Sequence, residues 1–470
     1  MKIALGLGKI SIDKINEYAH GELYNFTDKP CFITHICTDS REVDENTLFI
    51  ATRGERVDGH DYIHSAYDKG CRCVVCEYVP ADISGCDMAL CVVENSIDAF
   101  ANIARGYRAQ SPIKSIAITG SVGKTTTKEL MACVTRECFN TYSTSGNFNS
   151  VIGMPMSLME AGADCQLGIF EMGMSGFSEI SSMSHAAEPD VALVVNIGSS
   201  HLEYLGTRAN IAKAKLEIAD GMKVGGTLIL NGDEPLLQNA KEITHRDDIN
   251  YVYTSCHGEI GAKYRAENIR LYEDGSLFDV YADGEVISDI SLNIPGIHVV
   301  NNALMVIAAA HIVGVFQDNI KSGLQKYAPV GDRQRIFEKN GYKIIADCYN
   351  AAPESMRAAL DVLSTVAKCG KKIAVLGDMK ELGKNSDSLH FDVGQYVSSK
   401  ADSLITLGES GKIIADGARH SGMDASNIFN FGADDINAVC QKIREISEDG
   451  DCLLIKASRS MKLERIIEEL

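Results

Sequence analysis

The sequence has no excess of positive charge. Its 45 lysines and arginines are outnumbered by 64 aspartates and glutamates, which gives a formal net charge of −19. General nucleic-acid binding needs clustered basic residues against the phosphate backbone, so this composition argues against it. We expect no nucleic-acid partner, and any anionic substrate must be met by a few local cations.

Long apolar runs are missing as well. No stretch approaches the length that spans a membrane, and Met1 to Ile10 is too short and too rich in glycine for the apolar core of a secretory signal. In a large chain without such a signal, the 15 cysteines suggest reduced thiols rather than a disulfide framework. We therefore expect a cytoplasmic protein without membrane insertion.

The densest group of thiols raises the possibility of a zinc site. Its members and the candidates upstream are Cys71, Cys73 and Cys76, with Cys31, His35 and Cys37. The Cys-x-Cys-x-x-Cys spacing lacks a matching second pair, and Gly70 to Glu77 has the pattern of a buried strand. We interpret these thiols as core residues.

Internal repeats and low-complexity stretches are also absent, so the domain boundaries are taken from changes in pattern. The chain has 470 residues and 45% hydrophobic content, which is enough for two to four domains. We predict an α/β protein with three domains, which span residues 1–110, 111–327 and 328–470. Between Tyr251 and Leu292, alternating residues and the turns Asp274-Gly275 and Asp283-Gly284 predict antiparallel hairpins, a flap on a mostly parallel central sheet.

The most informative segment that is present runs from Ile118 to Thr127. An apolar strand-like run, Ser115 to Thr119, leads into it, and helical periodicity follows from Lys124 to Arg136. A glycine loop between a strand and a helix directs backbone N–H groups and the positive helix end at a phosphate. The segment therefore predicts a phosphate-binding loop.

Two side chains of this loop have predicted roles. Lys124 would reach terminal phosphates, and Thr125 would hold Mg²⁺. The usual nucleotide loop has its first glycine where this chain has Ile118, and Gly120 is present instead. The match is to a variant of the pattern.

Possible metal ligands follow two further apolar runs. Glu171 and His201 each come after a strand-like segment, but a lone carboxylate is often only a solvated strand end and a lone histidine is more often a cap. Each role therefore depends on convergence with Thr125. Downstream, Lys213 and Lys215 either form a solvated helix face or send one lysine inward, where carbamylation by CO₂ would make it an anion that suits Mg²⁺.

The third segment alternates strand-like and helical runs. The strand-like runs are Lys343 to Asp347, Lys372 to Leu376, Ser403 to Leu407 and Cys452 to Lys456, and the helical ones include Glu354 to Ala367 and Asp434 to Ile446. This rhythm predicts a parallel sheet. Ligands of such sheets bind at the carboxyl ends of the strands, so we expect a site near Asp347, Asp378 and Ser458.

Together these segments resemble the Mur ligase family of peptidoglycan synthesis. The resemblance is carried by Thr119 to Thr126, Glu171-Met172-Gly173-Met174, Asn196 to Glu203 and Lys213-Ala214-Lys215, in the family's order and spacing. Two later stretches resemble the members that add D-alanyl-D-alanine, namely Asp347 to Pro353 with Ser355-Met356, and Leu376-Gly377-Asp378-Met379 with Glu381-Leu382-Gly383. The resemblance spans essentially the whole chain.

The resemblance implies a domain for a UDP-sugar, a central ATPase and a Rossmann-like C-terminal domain that closes over the site. It implies an ATP-dependent amide ligase that phosphorylates the terminal carboxylate of UDP-N-acetylmuramoyl-tripeptide. The amine of D-alanyl-D-alanine would then attack the acyl phosphate. We expect ATP and Mg²⁺ as cofactors, these two substrates as partners, and a monomer.

The family's functional residues are carried over by position. The nucleotide-binding residues would be Thr119, Gly120, Ser121, Val122, Gly123, Lys124, Thr125, Thr126, Asn302, Arg333, Asp347, Tyr349 and Asn350. The metal ligands would be Thr125, Glu171, His201 and a carbamylated Lys215, and the catalytic residues would be Lys124, Lys215, His201 and Arg333. The UDP-sugar contacts would include Ser40 and Arg41, and Gly59 and His60 in the loop from Gly54 to Asp61.

Three positions depart from the family pattern. Val299 stands where an asparagine often follows the histidine, so an adenine contact is either missing or replaced by Asn301. Ala352 replaces an asparagine, and Ala457 replaces a glycine. None of these changes touches the predicted phosphate or metal residues, so we expect an active enzyme.

Two rival interpretations stay open. One is another ligase of the same superfamily, which would add a different amino acid to the UDP-sugar peptide or glutamate to a folate. The other is a nucleotide-binding scaffold that has lost ligation. The segment 1–110 argues against folate, and the presence of His201 and Lys215 argues against a scaffold.

Overall fold

A computed structural model describes residues 1–25, 32–54, 57–81, 83, 86–258, 261–282, 284–368 and 370–470. Of the residues discussed above, Cys31, Glu55, Arg56 and Asp283 lie outside this part of the chain. Three main β-sheets follow one another along the sequence, and a small two-stranded sheet accompanies the first. Each main sheet carries helices.

The first main sheet has six strands in the order β1-β5-β6-β7-β8-β3. The strands of this segment are β1 (Lys2–Ala4), β2 (Ile10–Ser11), β3 (Glu22–Tyr24), β4 (Phe32–Ile33), β5 (His35–Cys37), β6 (Thr47–Ile50), β7 (Cys73–Cys76) and β8 (Ala89–Val92). The helices are α1 (Ile12–Ala19), α2 (Ile63–Asp68) and α3 (Ser96–Ala109). Strands β5 to β8 are parallel, and the edge strands β1 and β3 are antiparallel to their neighbours.

An ion pair ties the edge strand β1 to the loop before β6. Lys2 Nζ lies 2.5 Å from Asp44 Oδ2, and the Asp44 side chain is 48% exposed. Its hydrogen bond from the Lys2 ammonium lowers the pKa of Asp44 to about 2. The pair is therefore a surface contact with a defined acid response.

Three thiols of the suspected zinc site, those of Cys71, Cys73 and Cys76, are core residues. Cys73 and Cys76 both belong to β7 and are three positions apart, so they point to opposite faces of the sheet and cannot share a metal. Cys71 and Cys76 are fully buried in one core cluster, and burial raises their pKa values to about 11 and 12. Within the described ranges, no group of three or more metal-binding side chains is found.

The central sheet has nine strands in the order β10-β11-β9-β12-β13-β14-β15-β16-β17. These strands are β9 (Lys114–Thr119), β10 (Thr141–Ser143), β11 (Leu167–Glu171), β12 (Val191–Val194), β13 (Thr227–Asn231), β14 (Asn250–Ser255), β15 (Tyr264–Leu271), β16 (Ser276–Ala282) and β17 (Glu285–Leu292). The helices are α4 (Lys124–Thr135), α5 (Gly153–Glu160), α6 (Glu179–Ala187), α7 (Leu202–Leu205), α8 (Arg208–Leu216), α9 (Ala240–Thr244), α10 (Ile297–Val313) and α11 (Gln317–Gln325).

The prediction of antiparallel hairpins between Tyr251 and Leu292 is partly wrong. Strands β15, β16 and β17 are antiparallel as predicted, but β14 pairs in parallel with β13 and belongs to the parallel part of the sheet. The hairpins also continue the central sheet at its edge. The alternation of Asn250–Ser255 signals a half-buried strand and says nothing about its direction, because both directions share the side-chain period of two.

The apolar helix α10 lies against the central sheet. Twelve of its residues are buried, including Val300, Ala303 and Ile307, and it packs on α4 and on strands β12 to β16. A helix that is apolar on nearly all sides is typical of a core position. Because α10 contacts α4, its polar Asn302 is brought beside the phosphate loop.

The third sheet has six strands in the order β18-β19-β23-β20-β21-β22, and all are parallel except the edge strand β18. These strands are β18 (Arg335–Lys339), β19 (Tyr342–Asp347), β20 (Lys372–Leu376), β21 (Ser403–Leu407), β22 (Ile428–Phe431) and β23 (Cys452–Lys456). The helices are α12 (Pro353–Val366), α13 (Ser386–Val397), α14 (Gly411–His420), α15 (Ile436–Ile446) and α16 (Glu464–Glu469). The predicted parallel sheet is present, with β18 and β22 in addition.

The first two segments share a core. Helix α3 packs on α1 and also on α5 and α6 of the central segment, and one apolar cluster includes residues of both, such as Phe100 and Met156. The N-terminus of α3 is capped by Asn95, whose Oδ1 accepts hydrogen bonds from two backbone N–H groups of the first turn. Among the described residues, no helix combines the length and the apolar character needed to cross a membrane.

Candidate active site

A cavity of about 470 Å³ lies between the central segment and the third one. Its central-segment walls include Ser121, Val122, Gly123, Lys124, Thr125, Thr126, Asn149, Glu171, Asn196, Val299, Asn301 and Asn302. Its third-segment walls include Arg333, Gln334, Asp347, Tyr349, Asn350, Glu354 and Lys456. Most of the predicted nucleotide residues therefore share one cavity.

The phosphate loop is shaped by a glycine and an asparagine. Gly123 precedes α4 with a φ of +83°, a left-handed conformation, and a Cβ at this residue would lie 3.1 Å from Asn302 Nδ2. Asn196 holds the preceding turn, because its Oδ1 accepts from Val122 N at 3.0 Å and its Nδ2 donates to Val122 O at 2.8 Å. The shape of the phosphate loop thus depends on contacts with residues outside the loop.

Lys124 curls back over the loop. Its Nζ donates a hydrogen bond to Gly120 O at 2.8 Å. Burial lowers the pKa of the Lys124 ammonium and nearby Arg333 lowers it further, whereas Glu171 raises it. Two cations thus share one partly desolvated region, an arrangement that favours a polyanionic ligand.

Thr125 and Glu171 meet at the carboxyl end of the central sheet. Thr125 Oγ1 donates to Glu171 Oε2 at 2.9 Å, and Asn149 Nδ2 donates to Glu171 Oε1 at 2.8 Å. Glu171 is buried, with 2% of its surface exposed. A carboxylate beside a hydroxyl is the oxygen donor set that Mg²⁺ prefers, so these residues fit that cation.

His201 lies outside the residues that line the cavity and faces the third segment instead. Its Nδ1 is 2.7 Å from Glu381 Oε2. The proximity of His201 lowers the pKa of the Glu381 carboxyl, although partial burial opposes this shift. Both residues have a left-handed backbone, with φ values of 64° and 63°.

Lys215 is buried in α8, with 1% of its surface exposed, whereas Lys213 on the same helix is exposed. Within the described part of the chain, no hydrogen bond or ion pair reaches the Lys215 ammonium. Burial lowers its pKa well below the usual value, and nearby Lys124 lowers it further. A buried lysine without an anionic partner is costly, so this position calls for an explanation.

The third-segment wall is built around Tyr349 and Lys456. The Arg333 guanidinium lies 3.6 Å from the centre of the Tyr349 ring, a cation–π contact. Lys456 is buried and donates to Asp347 Oδ2 at 2.5 Å and to Asn350 O at 2.9 Å. Lys456 thus fixes two of the predicted nucleotide residues.

The part of the cavity wall beyond the phosphate loop includes Val299, one of the residues that depart from the family pattern. Val299 and Asn301 both line the cavity, and Asn302 is 4% exposed. His298 Nε2 donates to Gln334 Oε1 at 2.7 Å, and burial lowers the pKa of His298. The histidine therefore joins the central segment to the third one.

Glu354 was not predicted as a site residue. It is the second residue of α12, lines the cavity and accepts a hydrogen bond from Ser199 Oγ at 2.8 Å. Its other carboxylate oxygen is buried and finds no hydrogen-bond partner among the residues that the structure describes. The only signal in the sequence is its position near the end of a strand, because the contact joins residues 155 positions apart.

Several predicted residues do not line the cavity. Thr119 Oγ1 donates to Met172 O at 2.8 Å, and Gly120 contributes its carbonyl to Lys124, so both support the loop from behind. The expectation that Asp378 and Ser458 lie at the site is not met. Asp378 accepts hydrogen bonds from two backbone N–H groups at the start of α14, and Ser458 Oγ accepts one from Lys380 N.

The predicted UDP-sugar residues lie at the first sheet, away from this cavity. His60 is buried, with Nδ1 2.6 Å from Asp58 Oδ1 and Nε2 accepting from Glu77 N at 2.9 Å. A Cβ on Gly59 would lie 2.9 Å from Thr52 N, so the loop packs closely there. Ser40 is buried, and the exposed Arg41 pairs with the neighbouring Asp39.

Comparison with known families matches all three segments. The description "Mur ligase family, catalytic domain" matches residues 32–114, "Mur ligase middle domain" matches residues 118–310, and "Mur ligase, glutamate ligase domain" matches residues 332–459. The chain belongs to the Mur ligase family. The ATP-binding central segment of this Mur ligase is therefore the one that carries the phosphate loop.

Curated relatives of this Mur ligase cover nearly its whole length. The chain is 35% identical over 466 residues to "UDP-N-acetylmuramoyl-tripeptide--D-alanyl-D-alanine ligase" of Bacillus subtilis (strain 168), with 98% of each chain covered. It is 33% identical over 469 residues to the protein of the same name from Synechocystis sp., again with 98% of each covered.

Solved structures share the arrangement of this Mur ligase. A crystal structure of MurF from Acinetobacter baumannii superposes with a TM-score of 0.89 at 27% identity, covering 99% of both chains. A crystal structure of MurF ligase from Thermotoga maritima in complex with ADP gives a TM-score of 0.80 at 28% identity, covering 92% of this chain and 96% of that one. The fold and the family are thus established over nearly the whole chain.

Proposed function

We propose that this chain is the ATP-dependent ligase that joins D-alanyl-D-alanine to UDP-N-acetylmuramoyl-tripeptide in cytoplasmic peptidoglycan precursor synthesis. The observation that carries the proposal is the cavity in which the phosphate loop faces Arg333 and Tyr349 of the third segment. Relatives that carry this activity in their names are similar to the chain over 98% of its length. The division into domains of residues 1–110, 111–327 and 328–470 and a monomeric state are part of the proposal.

The reaction divides into two balanced steps. A carboxylate oxygen of the tripeptide attacks the γ-phosphorus of ATP, the bond to the bridging oxygen breaks, and ADP leaves. The amine of D-alanyl-D-alanine then attacks the acyl carbon, the bond to the phosphate oxygen breaks, and the amide, phosphate and a proton are released. Neither step needs a nucleophile from the protein, so its residues act by positioning and by neutralising charge.

Lys124 and Arg333 supply the neutralising charges. They interact with each other through space in the free protein, and a triphosphate placed between them would remove that repulsion. The Arg333 guanidinium lies 3.6 Å from the centre of the Tyr349 ring, a contact that would set its orientation before ATP arrives. The phosphates would contact the loop at Ser121, Val122, Gly123 and Thr126. Thr119 and Gly120 would support the loop from behind. Asn302, Asp347 and Asn350 would contact the rest of the nucleotide.

Thr125 and Glu171 would hold one Mg²⁺, and Glu171, His201 and a modified Lys215 would hold a second. Bound there, Mg²⁺ would screen the γ-phosphoryl group as the anionic carboxylate approaches. Thr125 and Asn149 keep the Glu171 carboxylate oriented through hydrogen bonds to its two oxygens. Closure of the third segment over the cavity would shield a reactive acyl phosphate from water.

The modification that we propose for Lys215 is a carbamate. A neutral lysine amine attacks CO₂, a C–N bond forms, and one proton is released, which leaves an anion at the end of the side chain. Burial without a partner and the lowered pKa both favour the neutral amine that this reaction needs. The carbamate would also relieve the repulsion between Lys215 and Lys124.

Lys213 provides a matched control for this modification, since it lies two residues away on the exposed face. We expect Lys215→Ala to lower ligase activity strongly and a short carboxylate or raised bicarbonate to restore part of it. Lys213→Ala should behave like wild type. ¹³C-bicarbonate NMR should give a carbamate signal in wild type that Lys215→Ala lacks. Unchanged activity of Lys215→Ala would refute the carbamate role.

The ligase reaction itself is tested by phosphate release from ATP. We expect release only when UDP-N-acetylmuramoyl-tripeptide and D-alanyl-D-alanine are both present, with tripeptides ending in lysine and in diaminopimelate compared side by side. Omission of either substrate is the control. Turnover with glutamate and a folate would favour the related synthetases, and no turnover with any acceptor would favour a scaffold.

The UDP-sugar would bind at the first sheet through the loops that contain Ser40, Arg41, Gly59 and His60. His60 would act there by shaping its loop, since both ring nitrogens already have partners. Arg41 is the exposed cation of this group and would meet an anionic part of the ligand. Binding of UDP-N-acetylmuramoyl-tripeptide should therefore weaken in Arg41→Ala, which calorimetry without ATP can measure.

A further inference from the structure

A short segment of the third domain, Glu381 to Gly383, lies against the start of α7 in the central domain. Glu381 Oε2 is 2.7 Å from His201 Nδ1, and Glu203 N donates to Glu381 O at 3.1 Å. A Cβ on Gly383 would lie 3.0 Å from Glu203 Cα, so the two backbones are in close contact. Three separate contacts therefore join this segment to the residues around His201.

The backbone at this contact is unusual on both sides. His201 and Glu381 each have a positive φ without being glycine, an uncommon state for residues with a side chain. Such conformations persist where the surroundings hold them, and they are concentrated at functional sites. The contact between the two side chains thus coincides with the point at which both chains turn.

We infer that Glu381 is a positioning residue for His201. Its carboxylate holds Nδ1 of the ring and thereby presents Nε2, the other nitrogen, toward the central domain. The inference rests on the proposed role of His201 as a metal ligand. It adds that the third domain, through Glu381, completes the metal site when it docks.

The chemistry of imidazole supports this assignment. A metal-binding histidine commonly donates its second N–H to a carboxylate, which fixes the tautomer and the ring orientation. In the described part of the chain, neither ring nitrogen of His201 has a hydrogen bond of full geometry. Nδ1 is buried and lies at ion-pair distance from Glu381 Oε2, 2.7 Å, which leaves Nε2 with its lone pair to offer. The carboxylate comes from another domain, which makes the orientation of His201 dependent on domain docking.

A second contact in the same interface separates positioning from simple attachment. Ser199 Oγ donates to Glu354 Oε1 at 2.8 Å and joins the same two domains two residues before His201. If Glu381 acted only as an attachment point, loss of the Ser199 contact would have the same effect as loss of Glu381. If Glu381 orients His201, only its own loss changes metal binding.

Mn²⁺ binding, followed by electron paramagnetic resonance with a non-hydrolysable ATP analogue, tests the inference without turnover. His201→Ala first identifies the binding event that depends on the histidine. Glu381→Ala should weaken that same event by about 10- to 100-fold, the usual effect of losing such a partner. Ser199→Ala and Glu203→Gln should leave it unchanged. Thermal unfolding of each metal-free variant checks that the fold is retained.

Two results would overturn the inference. The first is a Mn²⁺ affinity of Glu381→Ala equal to that of wild type. The second is a loss of Mn²⁺ affinity in Ser199→Ala as large as the loss in Glu381→Ala. With either result, weaker Mn²⁺ binding by His201→Ala would still support the proposed metal role of His201. No change in His201→Ala would remove the metal role and the inference together. The ligase reaction is judged separately from phosphate release by the wild-type enzyme.

Discussion

Replacement of Gly123 by alanine should weaken nucleotide binding by a calculable amount. The residue has a φ of +83°, where an L-residue costs about 1–2 kcal/mol. Its new Cβ would also lie 3.1 Å from Asn302 Nδ2, so the amide must shift by a few tenths of an ångström. In Gly123→Ala the free loop relaxes, and the cost returns when the nucleotide forces the loop back into shape. The expected loss of affinity is about 5- to 30-fold.

Isothermal titration with ADP measures this loss directly. Gly314→Ala is a matched control, because Gly314 ends α10 with a φ of +93° and no atom lies within 4 Å of its added Cβ. The control has the same backbone penalty at a site away from the loop, so it should lower the unfolding temperature by about 2–8 °C and leave the affinity for ADP unchanged. Unchanged affinity for ADP in Gly123→Ala would refute the argument.

Three further changes test other parts of the molecule. Tyr349→Ala should lower the rate of phosphate release because Arg333 loses the ring that orients it, whereas Tyr349→Phe should keep most of the rate; equal rates in both would contradict this role. Lys456→Met leaves Asp347 without its buried partner and should destabilise the protein by about 3–5 kcal/mol, nearer the lower value because the Asp347 side chain is 19% exposed; urea unfolding checks it, and a loss below about 1 kcal/mol, as for a surface pair, would contradict it. Asp44→Asn tests the acid response of the surface ion pair described above. The pKa of Asp44 is lowered from 3.8 to about 2, so its contribution is present above pH 3.8 and lost as the pH falls through about 2; wild type should exceed the variant by less than about 1 kcal/mol near neutral pH and lose that advantage in acid, and a constant difference would refute it.

The elements that sequence reasoning placed well are those with a local signal. The strand and helix around the phosphate loop were predicted at Ser115 to Thr119 and Lys124 to Arg136, and they occur at Lys114–Thr119 and Lys124–Thr135. Buried parallel strands read as continuous apolar runs, and a glycine marks the turn between strand and helix. Each feature depends on neighbours in the chain, so a single sequence can reveal it.

The elements that were missed have a weak local signal. Strand β18 has the sequence RIFEK and lies at an edge, where exposed charged residues break the apolar run. The direction of β14 was predicted wrongly because alternation is the same in parallel and antiparallel strands. Direction is decided by which strand lies alongside, and the sequence of Asn250–Ser255 does not contain that information.

The contacts of the candidate site between domains could not be predicted for a related reason. Ser199 and Glu354 meet across 155 positions, and Glu381 reaches His201 from the third domain. Nothing in the local pattern of these residues indicates a partner. Lys215 and Lys213 look alike in the sequence, and only the packing of α8 buries the first and exposes the second. Sequence reasoning therefore found the residue types and left their contacts open.

The division of the cavity walls between two domains makes nucleotide affinity a measure of how often the protein is closed. A ligand that needs both walls binds only the closed population, so its apparent dissociation constant is the intrinsic one divided by the closed fraction. If one molecule in ten is closed, affinity is about tenfold weaker than the contacts alone would give. The affinity of an inhibitor that contacts only the phosphate loop would not depend on the closed fraction. An inhibitor that contacts both walls would stabilise the closed state.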